Sequence, residues 1–374
     1  MLRAIGKTCL AAAYTVTRMA QRRRDCEPGA TPFIICYHRV VENFEHSART
    51  AIPSMLISTA MLERHIDWLA KRFSIESLDE IGERLEAGRP FRRPTAAVTF
   101  DDGYSDVYHH AFPLLKRKGV QAAVFVVTNL MNTTRPQIFD RLYLTLRSLQ
   151  SAGESLTRAV DRAARSVGIE IDPKWLGRSQ DEPLGMMTVL LNRFPLETVE
   201  LLLGRLVEDV SFTNRVLEEF VPLTWDMVEI MSRNDITIGS HTQSHTLLTT
   251  EKPDTVLKEL RASKEILESK LKTEITHFAY PDGRFNRQVV KAVGRAGYRF
   301  GYGICRREDA RFPLLTIPRK VLWERASINA WGSFSPSIMT CHSRGVFDSP
   351  HQCEHDHSHC PSTGKKWNDQ LNTR

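Results

Sequence analysis

Ala96-Ala97-Val98-Thr99-Phe100-Asp101-Asp102-Gly103-Tyr104 runs from an apolar segment into two carboxylates and a glycine. Its first five residues make a short apolar run, suited to a strand buried on both faces. Two adjacent carboxylates close the run, and Gly103 turns the chain. In open α/β sheets and in barrels, sites form at the carboxyl ends of the strands. Neighbouring side chains on extended backbone point in different directions. One carboxylate can therefore bind a metal while the other faces a substrate. Two ionised groups this close repel unless a cation or a shared proton compensates. The plainer alternative is a solvated turn or a helix N-cap pair.

The same pattern recurs along the chain. Phe33–Tyr37 reads as a strand closed by His38, and Ala122–Val127 as another. Ile236–Ser240 is a strand that ends at His241, and Ile275–Tyr280 one that ends in the turn Pro281-Asp282-Gly283. Tyr298–Ile304 and Leu314–Leu322 complete a set of seven strands. Helical periodicity lies between them. Leu62, Ile66, Leu69 and Phe73 share one face, Ser105–Lys118 predicts a helix kinked near Pro113, and Asp254–Lys272 predicts a long charged one. Asn286 precedes another helix as its N-cap. This alternation predicts an α/β fold with an inner parallel sheet covered by helices.

Two further strand ends carry chemistry-bearing residues. His241 and His245 lie four apart, a spacing that puts both rings on one side of a helical turn and suits two nitrogen ligands on one divalent ion. Two His plus a carboxylate leave positions open for water and substrate. The Pro281-Asp282-Gly283 turn can aim a backbone N–H into such a site as an oxyanion donor. His38 closes the first strand and is expected on the same rim; a structural histidine is its bland alternative.

Three of these motifs, in this order and each at a strand end, resemble the polysaccharide deacetylases, the NodB-homology group or carbohydrate esterase family four. They are Thr99–Tyr104, His241 with His245, and Tyr280-Pro281-Asp282-Gly283. The resemblance covers about residues 30–130 and 223–325. It implies a distorted, incomplete (β/α) barrel and a metal-dependent hydrolase that removes N-acetyl groups from an amino-sugar glycan or oligosaccharide. It also implies roles. Asp101 matches the general base; Asp102, His241 and His245 match the ligands of a divalent metal, usually zinc; the main-chain amide at Asp282 matches the oxyanion donor. The family usually has an aromatic residue where this chain has Asp282. The late Leu-x-His motif that supplies a general acid in many members is missing, and Tyr37-His38 fits the variant in which an early His takes that role. Arg319 resembles the family's arginine near the last strand, which orients Asp101 or His38. Other readings are an amidase on a non-polymeric N-acyl substrate and a non-catalytic glycan-binding module on the same scaffold.

Composition bounds the rest. The chain has 374 residues, 41% hydrophobic and 25% charged, with a net charge of +7. No window reaches the ~18 uncharged apolar residues of a spanning helix. The modest basic excess comes without a recognition module, so a nucleic-acid partner is not expected. The seven cysteines show no framework spacing, and Cys36 and Cys305 sit in apolar runs. That leans towards a reducing compartment: cytoplasmic, or peripheral to the inner membrane face, with export as the alternative. Three regions fall outside the barrel pattern. Residues 1–30 read as a basic leader, amphipathic or flexible, able to touch a membrane surface, with Arg22–Arg24 as its main cluster. Within a barrel domain over 31–340, residues 132–222 lack strands and read as a helical insertion, either a cap over the site or a partner surface. Residues 341–374 form a polar tail, expected to be disordered, whose His351, Cys353, His355, His357, His359 and Cys360 can take Zn²⁺ or Cu²⁺ adventitiously. Oligomeric state is not legible.

Overall fold

The strands are short because each is a buried run cut off by a polar or glycine turn. A computed structural model describes residues 2–20, 31–175, 182–208, 218–304 and 309–348. In chain order the barrel strands are β1 (Phe33–Tyr37), β2 (Thr95–Phe100), β3 (Ala122–Val126), β4 (Ile236–Ser240), β5 (His277–Ala279), β6 (Phe300–Gly303), β7 (Ile317–Pro318) and β8 (Lys320–Val321). They are all parallel, in the order β7-β6-β5-β4-β3-β2-β1-β8. Ser74–Ile75 adds a short parallel strand beside β2.

Residues 317–321 hold the seam. Ile317 pairs with Tyr302 on β6, and Lys320 pairs with Ile35 on β1. One segment thus changes neighbours at Arg319 and nearly closes an eight-stranded barrel. The sequence suggests one strand over Leu314–Leu322; the observed break follows from this change of partner. Leu314 itself lies in a 3₁₀ turn, Pro313–Leu315.

Side-chain parity separates two apolar layers, because residues alternate sides along a strand. Ile35, Tyr37, Val98, Phe100, Val124 and Val126 pack outward with the helices Thr59–Ala70, Phe112–Lys118 and Pro253–Leu271. Ile34, Ala97, Ala123, Phe125, Ala279, Tyr302 and Ile317 form the second cluster, with Ile81 and Leu85 from helix Leu78–Glu86. Ser77 opens that helix with a capping box to Glu80. Asn286 caps Arg287–Arg295, as its position suggests, by accepting from Val289 N at 3.0 Å. The expected kink near Pro113 is a π-helical turn, Val107–Ala111, that runs into Phe112–Lys118. Its extra residue precedes the proline and absorbs the change in register.

The insertion is helical, with Ile138–Ser151, Leu156–Ser166, Pro183–Arg193 and Leu196–Val207 packed around their own core. Leu142, Leu146, Leu190, Leu202, Leu203 and Leu206 are buried there; Leu201, which the periodicity groups with them, is 53% exposed. Helices stand near both ends of the described residues. Leu2–Ala20 of the leader is a helix, packed on a second helix, Pro336–Ser343. Ala11 from the first and Ile338 and Cys341 from the second are buried together, so the polar tail begins later than Cys341. The remainder of the leader, Cys305 and the His-rich segment from His351 lie outside the described residues.

Candidate active site

Strand parity delivers two carboxylates to different places. Asp101 follows Thr99 on the inward side and sits at the seam. Arg319 grips it with two parallel bonds, Nη1 to Oδ1 at 2.7 Å and Nη2 to Oδ2 at 2.6 Å. Both residues are almost fully buried, and Arg319 Nη1 also donates to Thr99 Oγ1 at 3.1 Å. Cys36 Sγ, on the same inward layer, lies 3.3 Å from Asp101 Oδ2. Burial pushes the Asp101 carboxyl upward, but the guanidinium, with His241 behind it, outweighs this and holds the group below the usual carboxylate range. Burial, helped by the Asp101 and Asp102 carboxylates and opposed by Arg319, drives the Cys36 thiol well above its ordinary value, so it stays protonated as a donor.

Asp102 turns the other way. Its φ is +72°, in the left-handed region, and Gly103 follows at +70°. A Cβ on Gly103 would stand 3.3 Å from Val126 Cα, so only glycine combines this φ with such a close approach. Asp102 Oδ1 lies 3.1 Å from His245 Nε2 and 3.4 Å from His241 Nε2. Its second oxygen, Oδ2, is buried without a hydrogen-bond partner. Burial raises the Asp102 carboxyl, but the imidazoles around it, His241 and His245 foremost, together outweigh burial and hold it well below the usual carboxylate range.

Secondary contacts aim these rings. His241 Nδ1 donates to Ala279 O at 2.8 Å, which leaves Nε2 as the free lone pair facing Asp102. His245 N donates to Thr242 Oγ1 at 2.9 Å. Glu259, from helix Pro253–Leu271, accepts from Gln243 N at 3.0 Å, Ser244 N at 2.9 Å and Ser244 Oγ at 2.5 Å. The loop is held in an unusual backbone: Thr242 at φ +69° and His245 at +57°, with Asp282 at +52° across the rim. A β-branched residue in the left-handed region is a real outlier, and such strain gathers where surrounding structure imposes a geometry.

The insertion supplies one wall. Gln137 Nε2 donates to Asp102 O at 2.9 Å, the Phe139 ring sits 4.9 Å from the His245 ring, and Tyr104 OH donates to Asp140 Oδ2 at 2.5 Å. Burial pushes the Asp140 carboxyl up to about 7, against the pull of Arg39 and Tyr104. Gln137, Phe139 and Glu259 are residues the sequence reading does not single out. Only Glu259 leaves a signal there: a carboxylate on the same helical stripe as Val256, Leu260 and Leu267.

The remaining sequence candidates fall on the same rim. His38 is half-buried, its Nδ1 has no hydrogen-bond partner, and a ring nitrogen of it lies within 4.8 Å of ligand atoms of Asp101 and Cys36. The Asp282 side chain is 53% exposed and turned to Arg284 Nε at 2.8 Å, so its carboxylate is drawn off by a cation. All seven candidates, Asp101, Asp102, His38, His241, His245, Asp282 and Arg319, therefore converge. Ligand atoms of Asp102, His241 and His245 lie within 4.8 Å of one another. Two imidazole nitrogens and a carboxylate with an unpartnered buried oxygen fit a divalent cation with open coordination positions.

The family described as polysaccharide deacetylase matches residues 88–158 and 198–301, leaving out the middle of the insertion. A curated protein named putative polysaccharide deacetylase YxkH, from Bacillus subtilis, is 20% identical over 249 residues, 66% of this chain. The match spans 58% of that relative's length. Among solved structures, a deacetylase PplD of Streptococcus pyogenes in complex with acetate superposes with a TM-score of 0.52 at 17% identity, covering 84% of this chain and 99% of that one. A de-N-acetylase from Aggregatibacter actinomycetemcomitans gives 0.51 at 14%, covering 83% and 98%. At these identities the two structures support the fold.

Proposed function

The chain carries a polysaccharide deacetylase domain, and from that premise we propose that it hydrolyses N-acetyl groups on amino-sugar glycans with a divalent metal, zinc by preference, as cofactor. The observation that carries the reading is the division of labour between neighbours. Asp102 faces two imidazoles while Asp101 is held apart by Arg319.

Asp102 Oδ1, His241 Nε2 and His245 Nε2 would hold the ion. When bound, such an ion supplies Lewis acidity that brings a water pKa down to about 7. The chain's own groups do the rest. Asp101, kept ionised by Arg319, accepts the proton of the attacking water; a carboxylate of lowered basicity suffices only for a water made unusually acidic. Arg319 is a positioning residue that fixes both Asp101 oxygens. The main-chain N–H of Asp282 donates to the acyl oxygen as negative charge develops there. His38 gives a proton to the nitrogen as the C–N bond breaks, and acetate and a free amine leave.

Acetate release from N-acetylglucosamine oligomers, compared with a panel of small N-acyl amides, tests this. Expected are turnover of the oligomers, loss on chelation, and recovery with zinc. Hydrolysis confined to the small amides would favour the amidase reading. Tight zinc binding with no turnover of any substrate would favour a glycan-binding module. Normal turnover in zinc-free, chelator-treated protein would overturn the scheme.

A further inference from the structure

Among the described side chains, helix Leu2–Ala20 meets the rest of the molecule on one face. Ala11 is buried against Ile338 and Cys341, Lys7 Nζ donates to Ala326 O and lies over the Phe347 ring, and Thr8 Oγ1 accepts from Ala330 N at 3.0 Å. These contacts set which side faces out. Ile5, Cys9, Ala12 and Val16, at helical spacing, make an exposed stripe, with Leu10 and Ala13 beside it. Ile5 is 41%, Leu10 51% and Val16 67% exposed.

A second apolar group stands next to it. The bond from Ala330 N to Thr8 brings the 329–334 loop against the helix, and Trp331 in that loop is 80% exposed. The loop is shaped by its own bonds, with Asn329 Oδ1 accepting from Trp331 N and Ser333 N, both at 3.0 Å. A built turn therefore presents an indole outward beside an apolar helix. Tryptophan beside an apolar stripe is the composition of a membrane–water interface.

Charge selects the kind of surface. Residues 1–24 contain no Asp or Glu, and besides Lys7, which is engaged with Ala326 and Phe347, they carry Arg3, Arg18, Arg22, Arg23 and Arg24. Against a second copy of this chain, that segment would meet its own positive charge. Against anionic lipid it meets the opposite sign. No helix among the described residues is long and apolar enough to cross a membrane, so the contact is peripheral.

We propose that the outward face of helix Leu2–Ala20, with Trp331, is a docking surface for an anionic lipid bilayer. The claim is independent of the catalytic reading. The full chain is sedimented with phosphatidylcholine vesicles that contain, or lack, phosphatidylglycerol. Expected is binding at least about tenfold tighter to the anionic vesicles, since each basic residue near the surface adds about fivefold. It weakens as salt is raised. The paired substitutions Val16→Glu and Trp331→Ser should lose about tenfold or more of that binding, with the thermal midpoint and activity on soluble substrate unchanged. Arg22, Arg23 and Arg24 changed to Gln should remove most of the preference for anionic lipid while leaving the residual neutral-lipid binding. Equal affinity for both vesicle types, or full binding by the Val16/Trp331 variant, would overturn the proposal. So would a wild-type dimer that this variant converts to monomer, because the face would then be a contact between copies.

Discussion

Arg319→Leu removes the partner that keeps Asp101 charged, and the expected consequences can be worked from the geometry. The pair is bidentate at 2.6 and 2.7 Å, with side-chain exposure of 0% and 4%. Breaking a buried pair by deleting one partner costs about 3–5 kcal/mol, because the other charge is left in low dielectric. At ~2.1 cal/mol/K of unfolding entropy per residue, each kcal/mol moves Tm by about 1–1.5 °C in a chain of 374 residues, so a drop of about 5 °C is expected at neutral pH. The pH dependence then changes sign. In the wild type the folded Asp101 pKa lies below its unfolded value. Its contribution is present above the unfolded pKa near 3.9 and is lost as pH falls through the folded one. Without the guanidinium, burial is the dominant influence and the folded pKa rises above 3.9. Stability of the variant should therefore fall as pH rises from about 4 to 7, where the wild type is flat or gains. Thermal melts at several pH values read this directly. Adding Asp101→Asn to Arg319→Leu should restore part of the loss, since no buried charge is left. A variant that melts within a degree or two of wild type across that range would refute the claim that Arg319 is what compensates the Asp101 charge.

Phe139→Ala opens the wall against His245; a loss of about 3 kcal/mol in stability is expected, together with zinc affinity weakened by about tenfold in chelator competition. His38→Gln should leave zinc affinity intact while lowering kcat by about 10²–10⁴; loss of zinc instead would make His38 a ligand. His65 is buried between Tyr37 OH at 2.9 Å and Ser327 Oγ at 2.7 Å, and burial pushes its pKa down to about 3. Its neutral form is stable in the fold above pH about 6.5, and stability should fall as pH drops from there toward 3. His65→Gln, measured by urea titration at pH 7 and pH 4.5, should narrow the difference between the two.

Much of the barrel was legible because strand termini carry their own punctuation. The runs Phe33–Tyr37, Ala96–Phe100, Ala122–Val126 and Ile236–Ser240 are apolar on both faces and end in a polar residue or a turn, so length and period suffice to find them. The seam was not. Ile317–Val321 is too short to announce that it changes partner at Arg319, and that change depends on where β1 and β6 lie. The insertion shows the same limit. Its leucine stripes predict helices, but Leu201 belongs to the stripe by spacing and to the surface by packing.

The residue types of the site and their order along the chain were set by the sequence alone. Asp101-Asp102-Gly103, His241 with His245, and Pro281-Asp282-Gly283 each sit where a strand stops, and local backbone chemistry requires no partner to say so. The resemblance already gave the two carboxylates different roles, but the physical basis for a difference, their surroundings, is visible only in the tertiary structure. Asp101 and Asp102 are identical side chains on adjacent residues. They differ because one stays on the inward parity of β2 and meets a guanidinium at the seam, while the other enters a left-handed turn and meets two imidazoles. The contacts of Gln137 and Phe139 with the ligand set are likewise long-range. A chain encodes local conformation in neighbours a few residues apart, whereas charge compensation and enclosure arise from groups as far as 218 residues distant that only the folded barrel brings within hydrogen-bonding reach.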